Sequence, residues 1–298
     1  MATLSLAPEG PFSLQAAAGF GFGPTEGRAP VWDGMLRLAF AVDGGTGYAG
    51  VVLRQADVDG PVDVELTTTG GADPDAALAQ TARTLSLDHD ARGFIALGET
   101  DPVLGALQLA HPGQRPVLFS SPYEAAAWSI ISARRRGTQG ATVRAELGER
   151  QGETFELAGV PMPAFPQPDR LIEIEDRFPG LDDTKVQRLR ALAAAAAAGE
   201  LDVERLRALG PENAQRDLQR LSGIGPFYAS LIVLRASGFA DAISAEPEPK
   251  AAAYAGDYYG RGGPLDATAF AELAERWRPF RTWAMVLIRL AGDRGTEI

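Results

Sequence analysis

The sequence contains no cysteine and only two histidines, His89 and His111, among its 298 residues. The missing thiols exclude disulfides, cysteine nucleophiles and zinc sites built on thiolates. Two histidines provide little material for imidazole-based catalysis or metal binding, and we expect both at the surface or at the boundary of an element. These absences argue against thiol enzymes and against histidine-built metalloenzymes.

Long hydrophobic runs and an excess of basic charge are also missing. No uncharged apolar stretch approaches the roughly 20 residues that cross a bilayer, and residues 1–10 lack the basic and apolar regions of a signal peptide. We therefore expect a cytoplasmic protein with no membrane partner. The net charge of −11 argues mildly against nucleic acid as a partner, unless positive charge is segregated on one surface.

The chain divides by pattern into two parts. The strand candidates, which alternate apolar with polar or small residues, are residues 12–14, 32–42, 48–54 and 62–66. A helix is predicted to follow, with Asp75 as its cap. From Leu87 onward nearly every segment has helical spacing. The sequence predicts an α+β protein, with a small antiparallel β-sheet domain that includes helices over residues 1–100 and an all-α domain over residues 101–298.

The helical part contains three features that set local expectations. A helix that opens at Ser121 is predicted to carry the cluster Arg134, Arg135 and Arg136, which is either a solvated helix face or a contact surface. Residues 157–169 hold four prolines and are predicted to form a linker or irregular loop anchored by Phe165. Asp169 is expected to cap a helix over residues 170–177.

The stretch from Leu218 to Ala229 reads as the end of one helix, a tight hairpin and the start of the next helix. We expect positive φ angles at both Gly223 and Gly225, with Ile224 filling the gap between the helices. Successive N–H groups at such a helix start attract an anion, typically a phosphate. The alternative is an ordinary helix–turn–helix corner.

A carboxylate also precedes a proline at a predicted helix start, at Glu248-Pro249. The carboxylate would then stand at a helix N-terminus, across from the hairpin. Helix capping alone would also explain a carboxylate at this position.

Together these residues resemble the helix-hairpin-helix DNA glycosylases, and most of all the bacterial 3-methyladenine DNA glycosylase II type. The resemblance rests on the hairpin at 218–229, the acidic residues about 20 positions later, and the segment 275–284, which reads ERWRPFRTWA. It covers residues 105–298 well and residues 1–100 in outline.

The resemblance implies a partner, a reaction and a set of site residues. The partner is double-stranded DNA with damaged bases, which would be flipped into a pocket, and the protein would be a nucleoid-associated monomer. The reaction is hydrolysis of the N-glycosidic bond of alkylated purines of the 3-methyladenine type in base excision repair. Phe227 stands where lyase members carry a lysine, which implies no lyase activity. The implied DNA contacts are Gly223, Ile224, Gly225, Phe227, Arg134, Arg135 and Arg136, and the implied pocket aromatics are Phe227, Tyr228 and Trp283. No cofactor is required, and a monovalent cation would bind the carbonyls of Gln219, Leu221 and Ile224.

The catalytic carboxylate departs from the family pattern, because the family's Asp is absent from residues 244–250. Counting back from Tyr259 places Glu248 at the Asp position, whereas counting forward from Asp241 places Pro247 there, so Glu246 is a second candidate. The extra methylene of Glu adds roughly 1.5 Å of reach, in a role where a misplacement of about 1 Å costs about 100-fold.

Three other family positions differ as well. Ala133 stands at the family's Gln, Arg134 at its apolar wedge, and Arg289 at a pocket-stacking Trp. Two other hypotheses therefore stay open: a DNA-binding or damage-sensing protein that has lost catalysis, and an interaction protein that no longer binds DNA.

Overall fold

The computed structural model describes residues 4–20, 32–44 and 47–298. The strands are β1 (Leu4–Leu6), β2 (Met35–Ala41), β3 (Tyr48–Gln55), β4 (Val62–Thr69), β5 (Thr154–Leu157) and β6 (Val160–Pro163). The helices are α1 (Leu14–Ala18), α2 (Pro74–Thr84), α3 (Arg92–Thr100), α4 (Pro102–Ala110), α5 (Pro122–Ser132), α6 (Gly137–Gln151), α7 (Pro168–Leu171), α8 (Asp183–Ala197), α9 (Val203–Leu209), α10 (Pro211–Leu218), α11 (Pro226–Ala236), α12 (Pro249–Tyr258), α13 (Ala267–Ala274) and α14 (Arg281–Asp293). A 3₁₀ turn, Glu275–Trp277, follows α13. The predicted α+β fold with an N-terminal antiparallel sheet is confirmed.

Four strands form the main sheet, in the order β1-β4-β3-β2 with every pair antiparallel. In β4 the alternation follows the pleat, because Val62 and Val64 are fully buried while Asp63 and Glu65 are exposed. The strand predicted at residues 12–14 is wrong. Ser13 instead caps α1, its hydroxyl accepting the Ala16 N–H at 3.2 Å.

A second sheet lies inside the part predicted to be all-α, which corrects that prediction. The β5–β6 hairpin occupies residues assigned in part to a linker. Phe155 of β5 lies against Gly50 of β3, where any Cβ would approach the ring within 2.5 Å. The missing side chain at Gly50 thus makes room for the hairpin to dock on the main sheet. Phe165, the predicted anchor, is 1% exposed.

Helix α5 ends at Ser132, so the prediction that it carries the arginine cluster is wrong. Arg134 takes a left-handed φ of +59°, which ends the helix, and α6 does not begin until Gly137. Lys185 of α8 holds this helix end: its Nζ donates to the carbonyls of Ile131 at 2.8 Å and Ala133 at 2.9 Å. The cluster therefore lies in a loop whose root is fixed by a buried lysine.

Two predicted helix caps are also wrong. Asp73, not Asp75, caps α2 and accepts the Asp75 N–H at 3.1 Å. The helix expected over residues 170–177 is the single turn α7, which begins after Gln167 with no side-chain cap from Asp169. In both cases the capping position lies two residues before the predicted aspartate, where the backbone is still extended.

Helix α11 lies between two helical cores. The first helical core gathers α5, α8 and α9 around Ile232 and Val233 of α11. The second gathers α12, α13 and α14 around Leu234. Helices α3 and α4, which flank the predicted boundary at residue 100, also join the second core through Phe94 and Leu107. The boundary between the two domains stays a prediction.

We expect Lys185→Met to lower the free energy of unfolding by about 2 kcal/mol. The substitution keeps the buried stem but leaves the carbonyls of Ile131 and Ala133 without their charged donor. Urea denaturation followed by circular dichroism measures the difference. Arg261→Met, at an exposed arginine, is the control and should change the value by less than about 0.5 kcal/mol. An equal effect of both substitutions would contradict this role of Lys185.

Candidate active site and nucleic-acid interface

The hairpin between α10 and α11 has the predicted shape with one correction. Gly223 has a φ of +93°, whereas Gly225 is extended, with φ −89° and ψ −178°. Ile224 is 3% exposed and packs into the first helical core, as predicted. A Cβ added at Gly225 would have no neighbouring atom within 4 Å. Gly225 therefore leaves open space in front of the hairpin. Its extended conformation does not require a glycine, because other residues adopt it readily.

The N-terminus of α11 faces this open space without a side-chain cap. Pro226 occupies the first helical position, where it has no N–H to satisfy. The next N–H groups, on Phe227 and Tyr228, have no acceptor within the helix, because the first turn of any α-helix lacks one. Such a terminus attracts anions through its N–H groups and the helix dipole.

Basic side chains lie beside the hairpin. Arg188 of α8 packs against Gly223, where an added Cβ would come within 2.9 Å of its Cδ. Burial lowers the pKa of Lys185, and the nearby charges of Arg135 and Arg188 lower it further. Within the described residues, neither Arg135 nor Arg188 forms an ion pair. Arg188 thus brings a positive charge to the hairpin, and Arg135 lies close enough to Lys185 of α8 to affect its pKa.

The three clustered arginines differ in their exposure to solvent. Arg134 and Arg136 are exposed and Arg135 is half-buried. Arg134 has a left-handed backbone conformation just after the end of α5. This is the position that the resemblance assigns to the wedge. Its insertion into DNA stays a prediction.

A cavity of about 200 Å³ lies along α11, starting at the first turn of the helix with Phe227. It is bounded by α11, by the loop 244–248, by the start of α12 and by α14. Its lining residues are Phe227, Ser230, Leu231, Leu234, Arg235, Ser244, Glu246, Glu248, Ala251, Met285, Val286 and Arg289. The α11 and α14 walls of the cavity are therefore mostly apolar. Its charged side chains come from α11, from the loop 244–248 and from α14.

Both candidate carboxylates line this cavity, in different surroundings. Glu248 caps α12: its Oε2 accepts the Ala251 N–H at 2.8 Å and the Nε of Arg289 at 2.9 Å. Its side chain is 34% exposed, so it still reaches the cavity. Glu246 is exposed and forms no hydrogen bond or ion pair with any described residue. The structure thus holds one carboxylate in place and leaves the other on the rim.

Two arginines complete the charged part of the cavity. Arg289 of α14 pairs with Glu248 on one side and with Asp293 on the other. Arg235 of α11 donates to the Val117 carbonyl at 2.7 Å. Burial lowers the pKa of Arg235 to about 10, and the charge of Arg289 adds to the effect. The sequence reasoning missed Arg235, although its place four residues after Leu231 puts it on the cavity side of the same helix.

The predicted pocket aromatics do not all line the cavity. Phe227 stands at the mouth of the cavity and is 55% exposed. Tyr228 is half-buried beside it, with ring centroids 5.3 Å apart. Trp283 is 2% exposed and packs edge-on against Phe94 in the second helical core. The structure therefore brings Phe227 to this cavity and does not bring Tyr228 or Trp283 there.

The predicted cation site on the carbonyls of Gln219, Leu221 and Ile224 stays a prediction. The Leu221 carbonyl already accepts the Ile224 N–H at 3.0 Å, which leaves it one further lone pair. Among the residues that the structure describes, no group of three or more acidic or histidine side chains could hold a metal ion. In the same part of the chain, no helix is both long and apolar enough to cross a membrane.

The whole chain is similar in structure to solved DNA glycosylases. A 3-methyladenine DNA glycosylase from Archaeoglobus fulgidus covers 99% of this chain and 100% of its own, with a TM-score of 0.79 at 20% identity. An 8-oxoguanine glycosylase/lyase from Clostridium acetobutylicum, in complex with DNA, covers 95% and 93%, with a TM-score of 0.65 at 18% identity.

A third structure, a 3-methyladenine DNA glycosylase from Schizosaccharomyces pombe bound to abasic DNA, covers 68% and 97%, with a TM-score of 0.53 at 17% identity. No protein-family model matches the sequence, and no curated protein matches it significantly. The chain therefore has the fold of the helix-hairpin-helix DNA glycosylases.

Proposed function

We propose that this protein is a DNA glycosylase that hydrolyses the N-glycosidic bond of a damaged purine in duplex DNA, as the first step of base excision repair. The observation that carries the proposal is the position of Glu248, at the start of α12 in a cavity that is also lined by Phe227, in the first turn after the hairpin. The resemblance implies alkylated purines of the 3-methyladenine type as the first class of substrate to test, and a monomer as the active form.

The hairpin supplies the DNA anchor in this proposal. The N–H groups at the start of α11 bind a backbone phosphate, and the space in front of Gly225 lets that phosphate approach the main chain. Arg135 and Arg188 provide the adjacent positive charge. These contacts are independent of sequence, as a protein that searches for rare lesions requires.

The cavity along α11 receives the flipped base. Its apolar walls, formed by Leu231, Leu234 and Met285, bury the base plane. The exposed ring of Phe227 at its mouth offers a stacking surface for the base or for a neighbouring nucleotide. Because Phe227 belongs to the same first turn as the phosphate-binding N–H groups, anchoring and base entry are coupled through α11.

Glu248 acts on the sugar. The C1′–N bond breaks with its electron pair leaving on the base, and the sugar develops oxocarbenium charge that the carboxylate stabilises. Water then adds to C1′ and loses a proton, which passes to solvent when a cationic purine leaves as the neutral base and is balanced by protonation of the departing anion when a neutral purine leaves. The helix start and Arg289 hold the negative charge of Glu248 in position before the substrate arrives.

No lyase step is part of the proposal. A lyase of this fold forms a Schiff base through an amine, and no lysine is among the described residues that line the cavity. Phe227 occupies the position where the resemblance implies that amine.

A second candidate function is a damage-sensing protein that binds DNA without releasing a base. It is favoured by the engagement of Glu248, whose Oε2 already accepts two hydrogen bonds. The two functions differ in base release and not in DNA binding.

We expect Glu248→Gln to lower the single-turnover rate of base release about 100-fold or more, because the carboxamide cannot stabilise the developing positive charge. Release from duplexes that contain one 3-methyladenine, 7-methylguanine or hypoxanthine measures this rate. Glu246→Gln is the matched control and should retain the rate within about threefold. If Glu246→Gln abolishes release and Glu248→Gln does not, the roles of the two carboxylates are reversed. Damage sensing without catalysis is indicated when the wild type binds lesion duplexes and releases no base.

We expect Gly225→Asp to weaken duplex binding at least tenfold, because its carboxylate would stand in front of the N–H groups that bind phosphate. Fluorescence anisotropy at several salt concentrations measures the affinity and its salt slope. Gly225→Ala is the control: its Cβ meets open space at a φ that alanine tolerates, so the loss should be under about threefold. Equal affinity of both variants would contradict the hairpin's role as the anchor.

A further inference from the structure

The charged wall of the cavity bears on which damaged bases the protein accepts. Arg289 and Arg235 bring two guanidinium groups to the lining, against the carboxylates of Glu246 and Glu248. Of the two carboxylates, Glu248 is paired with Arg289 at 2.9 Å and Glu246 lies on the exposed rim. The interior of the cavity therefore offers no unbalanced negative charge to a cationic guest.

The aromatic content of the cavity points in the same direction. Cationic ligands are typically bound by several aromatic faces around the charge. Among the described residues that line this cavity, Phe227 is the one aromatic side chain, and it stands at the mouth. Trp283 is turned into the second helical core, against Phe94 and Phe280. The deeper walls are aliphatic. They therefore present no aromatic ring face whose partial negative charge would attract a cation.

Arg289 is also fixed in place. It is bonded to Glu248 through Nε and paired with Asp293 on the next turn of α14. Asp293 in turn accepts the Tyr254 hydroxyl at 2.9 Å and the Lys250 ammonium at 3.2 Å. A guanidinium held by two carboxylates from different elements cannot turn away easily from a base that enters the cavity.

We infer that Arg289 makes this a glycosylase for neutral purine lesions, such as deaminated or etheno-bridged purines, in preference to purines that alkylation has made cationic. The inference rests on the proposed function and narrows its substrate class. A cationic purine would lose its hydration on entering this largely apolar cavity, and Arg289 already neutralises the Glu248 carboxylate that would otherwise attract it. A neutral purine avoids this desolvation cost and gains the same apolar contacts.

The test compares rate enhancements, since cationic nucleosides also lose their base faster in solution. For each lesion, the single-turnover rate of release is divided by the spontaneous rate of release from the same duplex. The neutral lesions are hypoxanthine and 1,N6-ethenoadenine, and the cationic lesions are 7-methylguanine and 3-methyladenine. The wild type should enhance release of the neutral lesions at least tenfold more than that of the cationic ones.

Substitutions at residue 289 separate charge from shape. Arg289→Gln should shift the neutral-to-cationic ratio about tenfold toward the cationic lesions, whatever it does to the rates themselves. Arg289→Lys keeps the charge and should leave the ratio within about threefold. Arg261→Gln removes an exposed charge outside the cavity and should not move the ratio either.

The outcomes distinguish this inference from the proposed function. A greater enhancement for cationic lesions in the wild type, or an unchanged ratio in a folded Arg289→Gln variant, overturns the inference and leaves the glycosylase proposal standing. The wild-type comparison needs no variant, so the test holds even where Arg289→Gln does not fold. Absence of release from all four lesions rejects the proposed function and the inference together.

Discussion

The burial of α11 on two sides is the constraint on which the rest of the arrangement depends. Ile232 and Val233 of this helix belong to the first helical core, and Leu234 belongs to the second. A helix packed on both sides cannot shift or rotate without opening one core. Its uncapped N-terminus and its cavity-facing residues are therefore held at a fixed distance and orientation relative to each other.

Charge segregation reconciles the acidic composition with the proposed DNA partner. The net charge of −11 is a property of the whole sequence, whereas Arg188 stands beside the hairpin and Arg135 near Lys185, and neither has an ion-pair partner within the described residues. Elsewhere many arginines are neutralised locally; Arg281, for example, binds Asp241 at 2.7 Å and also pairs with Glu275. The proposed phosphate-binding surface is thus where cations are left available to an external anion.

Much of the fold could be predicted from the sequence, because its strongest signals are local. The alternation in residues 62–66, the proline at the start of α11 and the Glu248-Pro249 pair each determine a structure within a few residues. The helix caps at Asp75 and Asp169 failed locally, by two residues, whereas the larger failures are tertiary. The β5–β6 hairpin is stabilised by docking on the main sheet at Gly50, and the end of α5 is determined by Lys185, which is more than 50 residues away.

The candidate site shows the same division. Glu246, Glu248 and Phe227 could be assigned to it from the family resemblance, with the two carboxylates located by counting from Asp241 and Tyr259, and all three line the cavity. The position of Trp283 could not be predicted, because either side of a largely apolar helix can face a core; Arg235 shares a helix face with Leu231, but the sequence does not show that this face lines a cavity. The packing of α11 against α14 determines which side faces the core. No local sequence pattern predicts this packing.

The central claim is that Glu248 faces the sugar of a nucleotide whose phosphate is held by the hairpin. The most direct measurement is a crystal structure of the protein bound to a duplex that carries a cationic pyrrolidine in place of one nucleotide. The account predicts a Glu248 carboxylate oxygen within about 3 Å of the pyrrolidine nitrogen, with a backbone phosphate on the N–H groups of Phe227 and Tyr228. A pyrrolidine bound away from Glu248, or a hairpin that touches no phosphate, would contradict it.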